Sequence, residues 1–150
     1  MSVFDVAKYI LEQKGRMSTW KLQKLVYYSE AWSLVWDEKS LFDDDFEAWA
    51  NGPVTRSLFN AHKGRLYIEA DALGRGDSTK LGADARETID AVVRDYGDYS
   101  GQELSEIAHS ERPWKEARGE TPAGESSTAI IDRDAMMDYY AGLLQNAQRA

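Results

Sequence analysis

Few residue types able to carry out chemistry are present in this chain. It has no cysteine and two histidines, His62 and His109, so thiolate nucleophiles, disulfides and cysteine-ligated zinc are excluded and at most two imidazoles could act as bases. Ser110 follows His109 directly, but adjacency in sequence does not bring a hydroxyl and an imidazole into a productive pair. There is no Gly-x-Ser-x-Gly elbow, phosphate loop, dinucleotide fingerprint or His-Glu-x-x-His helix. Carboxylates are plentiful, yet spacing along a chain does not by itself identify a glycosidase pair. Asp43, Asp44 and Asp45 invite a cation, but a calcium loop begun at Asp43 needs glycine at its sixth position and glutamate at its twelfth, where Ala48 and Val54 stand. They read as a solvated acidic turn. No catalytic, metal or cofactor residue is assigned, and the chain is expected not to be an enzyme.

Residues suited to binding are easier to find. Lys21, Lys24 and Tyr28 stand at i, i+3 and i+7, on one edge of a helix. Either the lysines let that edge meet water, their stems covering apolar neighbours, or the edge is a docking stripe on an acidic protein. Trp49 and Trp114 pose the same choice between core filler and the aromatic anchors enriched at interfaces. Trp114 lies beside Pro113 with charges around it, so it is expected to be partly exposed. Gly52 and Pro53 read as backbone geometry.

The element that must position these residues runs from Ser18 to about Glu38. Leu22, Leu25, Val26, Tyr27, Tyr28, Ala31, Trp32, Leu34, Val35 and Trp36 cover every side of a helical wheel, and a helix apolar all round belongs in the middle of a core. Ser18 is the predicted N-cap, with Met17 and Leu22 placed as a hydrophobic staple. Before it, Val3, Phe4, Val6, Ala7, Ile10 and Leu11 define an amphipathic helix ended by Gly15. After it, Phe46 to Ala50 suggests a short strand, Asn51-Gly52 a turn, and Pro53 the first position of a helix running to about His62. A second short strand is expected over Leu66 to Ala70. Asp84 and Glu87 resemble a capping box for a helix burying Ile89, Val92, Val93 and Tyr96 and closed by Gly97, and Ser100 with Glu103 forms a second box, before Leu104, Ile107 and Ala108. Pro113 breaks that helix and begins a short one to Arg118. A loop over residues 119–128 precedes a last helix capped by Asp132, with Met136, Met137, Tyr140, Leu143 and Leu144 on its buried side. The expected fold is mainly α: a compact single-domain bundle of five to six helices with a minor β element, over residues 1–150.

Charge narrows the partners. A net charge of −8 opposes a surface built to neutralise phosphates, and a basic protein is the more natural match. The N-terminus is polar within a few residues and no run is long and apolar enough for a membrane span, so neither a signal peptide nor a membrane contact is expected, and the cytoplasm is the default location.

Three ordered blocks give a resemblance. Lys21-Leu22-Gln23-Lys24-Leu25-Val26-Tyr27-Tyr28 with Trp32; Leu41-Phe42, Phe46-Glu47-Ala48-Trp49 and Gly52-Pro53-Val54; and Leu104-Ser105 with His109-Ser110-Glu111-Arg112-Pro113-Trp114-Lys115-Glu116-Ala117-Arg118 together resemble the Panacea domain, the SocA-like antitoxin family also known as phage-associated proteins. The resemblance implies a helical domain that is the antitoxin of a toxin–antitoxin pair and neutralises a toxin encoded by an adjacent gene through direct protein–protein contact. It brings no cofactor and no enzymatic activity. In the SocA-like branch the antitoxin is associated with presenting its toxin to a cellular protease, so an adaptor role is the alternative; an unrecognised enzyme that reverses toxin damage ranks below it. Nucleic-acid binding is not expected, since the chain leaves no room for the separate DNA-binding domain that many members carry. Asn51 stands where members often have tyrosine or lysine, which affects the surface at the turn. The candidate partner-binding residues are Lys21, Lys24, Tyr28, Trp49, His109, Ser110, Trp114 and Arg118.

Overall fold

The computed structural model describes residues 1–149. Its centre is α2 (Thr19–Trp36), which has fourteen buried residues and packs against every other long helix: α1 (Val3–Lys14), α4 (Ala83–Tyr96), α5 (Gly101–Ser110) and α7 (Arg133–Arg149). With the short helices α3 (Arg56–His62) and α6 (Arg112–Arg118), the described residues form seven α-helices, more than the five to six expected. Both short helices fall on segments already expected to be helical, so the difference lies in the number and not in the placement. Leu22, Leu25, Val26, Tyr28 and Ala31 are fully enclosed, as an all-round apolar helix requires, while Trp20 in the first turn and Trp36 in the last reach solvent. The helix ends two residues before the predicted Glu38, at an Asp37 cap.

The predicted punctuation holds at most helix ends. Ser18 Oγ accepts from the Lys21 amide at 3.0 Å, Ser100 and Glu103 form a reciprocal capping box, and the Asp132 carboxylate caps α7 through the Ala135 amide. Gly15 closes α1 at φ 91°, a conformation that side chains resist. Asp84 and Glu87 do not form a box. Gly82 is the N-cap of α4, and Asp84 sits inside the first turn, where its charge meets the positive end of the helix without capping it.

Two antiparallel ribbons complete the fold. β1 (Met17–Ser18) pairs with β4 (Tyr67–Ile68), and β2 (Glu47–Trp49) with β3 (Gly52–Val54) in the register Glu47↔Val54, Ala48↔Pro53, Trp49↔Gly52. Pro53 is therefore a strand residue, not the first residue of a helix; α3 starts three residues later behind Thr55. The ladder tolerates proline because Ala48 turns its polar groups away from Pro53: its amide donates to the Ala129 carbonyl at 2.8 Å and its carbonyl accepts from Arg118 at 2.8 Å. Opposite such a residue no N–H is needed.

Candidate functional site

The three blocks that carry the family resemblance meet at the β2–β3 hairpin. From α6, Trp114 Nε1 donates to the Trp49 carbonyl at 2.9 Å, and the Arg118 guanidinium lies over the Trp114 ring at 4.7 Å while binding the carbonyls of Ala48, Pro122 and Glu125. From α5, the Ser105 hydroxyl donates to the Asn51 carbonyl, and the Trp20 indole of α2 donates to the same oxygen at 3.1 Å. His109 stacks on Trp114 with ring centroids 4.1 Å apart. The hairpin tip is thus held from three helices.

Those contacts correct several expectations of exposure. Trp114 is 7 % exposed and not partly open as expected, because α6 lays it against the hairpin, and Arg118 is buried among its three carbonyl acceptors. Lys24 and Tyr28 are fully buried, so Lys21, Lys24 and Tyr28 do not form an exposed stripe. The physical reason is that α2 is surrounded: Tyr28 stacks on Tyr96 at 4.3 Å, its hydroxyl donates to Glu111 at 2.8 Å, and the Tyr140 hydroxyl donates to the same oxygen at 2.7 Å. Desolvation pushes the Glu111 carboxyl above its ordinary range, partly offset by the two hydroxyls. Lys21 is half-buried and donates to the Gly97 carbonyl at 2.5 Å. Ser110 is exposed, donates to the Ile107 carbonyl within its own helix, and shares no site with the His109 ring on Trp114. Trp49 is half-buried, its ring edge-on to Phe59 at 4.9 Å and under the Arg56 guanidinium at 5.4 Å.

Beside the hairpin lies a pocket of about 510 Å³, the size of a small-molecule site. Thr19, Trp20, Gln23 and Lys24 of α2 form one wall, Trp49, Asn51 and Val54 of the hairpin another, and Arg56, Phe59 and His62 of α3 the third. The wall residues of α2 fall in pairs one turn apart, and those of α3 at three-residue steps, which puts each set on a single helix face.

Most polar groups in these walls are committed. Gln23 acts like a strand partner for Thr55: its Oε1 accepts the Thr55 amide at 3.0 Å and its Nε2 faces the Thr55 carbonyl at 3.2 Å and His62 Nε2 at 3.0 Å. That pairing anchors the start of α3, which has no side-chain cap of its own. Thr19 Oγ1 donates to the Arg65 carbonyl, and Arg56 forms a forked pair with Glu47 at 2.8 and 3.1 Å. Burial lowers the affinity of His62 for a proton, and the neighbouring Lys24 adds to the effect.

Lys24 is different. Its ammonium is enclosed and has no hydrogen-bond partner among the described residues, and burial alone pulls its pKa down to about 7. The lysine stem runs across Gly52: a Cβ at that position would lie 2.4 Å from Lys24 Cε. Gly52 therefore does more than turn the chain at φ 117°; its missing side chain is the space the lysine occupies. The sequence reading missed Trp20, Gln23, Phe59 and His62 as site residues. A lysine embedded in a helix apolar on all sides was the available signal, since such a helix has no water-facing edge to offer it.

Among the described residues, no helix is long and apolar enough to cross a membrane. No curated protein and no solved structure matches the chain. A family model described as "Antitoxin SocA-like, Panacea domain" matches residues 22–115, a span that holds most of α2, the hairpin, the pocket's α3 wall and the start of α6. The chain, matched over more than half its length, belongs to the SocA-like antitoxin, Panacea domain family.

Proposed function

We propose that this protein is a non-catalytic antitoxin, acting as a single domain in the cytoplasm, that neutralises a toxin encoded beside it by direct protein–protein binding. The family match carries this reading. Two physical features support it. The net charge of −8 favours a basic partner and speeds its encounter. The β1–β4 ribbon and the first turn of α2 also carry adjacent exposed apolar side chains, Trp20, Leu66 and Tyr67, with Leu66 81 % exposed. Exposed aromatic and apolar groups of this kind are the ordinary material of an interface core. The toxin is accordingly taken at this face, which replaces the buried lysine edge as the docking surface.

Co-expression with the product of the neighbouring reading frame tests the reading: growth arrest by that product alone, relieved by this protein, is expected. A product that is harmless alone, or equally toxic with this protein present, overturns it. Leu66→Glu with Tyr67→Glu changes two exposed positions and is expected to abolish protection while leaving the thermal transition in place. Toxin half-life separates sequestration from delivery to a protease, since sequestration leaves the half-life no shorter.

A further inference from the structure

A buried ammonium with no partner is the least stable arrangement a lysine can have, and native proteins leave few such groups. Lys24 is in that state at the wall of a pocket in which Thr19, Gln23 and Arg56 already bind within the protein. What the pocket lacks is one acceptor carrying one negative charge. What it offers besides is aromatic surface: Trp20, Trp49 and Phe59 line it, with Val54 between.

We infer that the pocket is a binding site for a small aromatic carboxylate, its ring held against Trp20, Trp49 and Phe59 and its carboxylate accepting a charge-assisted hydrogen bond from Lys24. The flexible four-carbon stem lets the amine turn to meet the ligand. A single carboxylate matches a single free cation; a phosphate dianion finds no second one, because Arg56 is taken by Glu47. The inference goes beyond the antitoxin reading: it rests on the pocket and its lysine, and Trp20 alone belongs both to the pocket and to the exposed ribbon face.

Ligand binding should draw a proton. The charged and titratable neighbours of Lys24 are the His62 imidazole from α3 and the His109 imidazole from α5, with Arg118 of α6 beside His109 and bound to the Ala48 carbonyl, and Glu47 engaged at the rim by Arg56. No free carboxylate supplies the counter-charge, so at neutral pH much of the amine is uncharged, and an incoming anion restores the ammonium.

The test uses the full chain, with indole-3-acetate as probe and indole-3-acetamide as its uncharged twin, followed by calorimetry and by amide shifts around Lys24 in heteronuclear NMR. The acid is expected to bind tighter than the amide by about tenfold, the worth of one charge-assisted hydrogen bond. Its binding should take up protons at pH 7.5, read from the buffer dependence of the heat. In Lys24→Met the preference and the proton uptake should vanish, and in Phe59→Ala both compounds should weaken together. Equal affinity for acid and amide in the wild type, shifts confined to residues away from the pocket, no binding by either, or a preference that survives in Lys24→Met would each overturn the inference. Should Lys24→Met misfold, the wild-type acid-to-amide ratio and its proton uptake still decide.

Discussion

One lysine and one glutamate lie buried on the same helix, and they are treated in opposite ways. Glu30, near the C-terminal half of α2, accepts from Ser40 Oγ at 2.7 Å, from the Leu41 amide at 2.6 Å and from Arg133 Nε at 2.7 Å, and Arg133 also binds the Phe42 and Asp44 carbonyls. One carboxylate thus ties α2 to the acidic turn and to the first residue of α7. Lys24, less than two turns earlier, has nothing. The first arrangement is how a buried charge serves a fold; the second costs stability and offers a ligand something to satisfy.

Breaking the well-served charge should have the largest effect. Arg133→Met leaves Glu30 enclosed without its cation, and a loss of about 3–5 kcal/mol is expected in urea denaturation. A loss under about 1 kcal/mol would mean the pair is screened like a surface bridge.

The unserved charge should show the opposite sign. An unfolded lysine keeps its proton to the ordinary 10.5, whereas the folded one gives it up at about 7. Between those values the unfolded chain binds more protons, so stability should rise with pH, by at most about 1.4 kcal/mol per unit. Burial also pushes Tyr28 and Tyr140 upward, which removes stability above their ordinary 10.0, so the clean window is pH 7 to 9.5. Lys24→Met should flatten the slope there and raise the melting temperature at pH 7. An unchanged slope would show that Lys24 reaches water.

Gly52→Ala probes the same lysine from the hairpin. A positive φ and the encounter with Lys24 Cε should together cost about 1–3 kcal/mol. In a Lys24→Ala background the steric part disappears, and the two substitutions should be non-additive in a thermodynamic cycle.

The smallest effect belongs to Glu111. Its carboxyl is raised by burial, so its contribution is fully present below the ordinary 4.5 and fades as pH rises through the shifted value. Glu111→Gln keeps an acceptor for the Tyr28 and Tyr140 hydroxyls, and a gain of about 1 kcal/mol or less at pH 7 is expected by thermal unfolding. A loss instead would show that the ionised form is needed to hold the two phenols.

Much of the frame was legible because it is local. Ser18, Ser100 and Asp132 cap helices through atoms a few residues away, and the turn signal at Asn51-Gly52 marks where the hairpin reverses, between the paired Trp49 and Gly52. Pro53 misled for the same reason: its local preference fits a helix start, but Ala48 faces away from it only because Ala129 and Arg118, far along the chain, take its polar groups. Trp114 looked exposed from its charged neighbours, yet the hairpin carbonyl that buries it lies 65 residues away in sequence.

The sequence by itself determined that α2 is enclosed, since an apolar residue on every side of a helix leaves no face for water, and the ordered blocks on it and after it determined the family. Which charges on that helix are satisfied was decided by tertiary structure alone. Arg133 reaches Glu30 across 103 residues, while Gly52 brings space and no acceptor to Lys24, and whether a buried ion finds a counter-charge depends on distances in space that spacing along the chain does not encode.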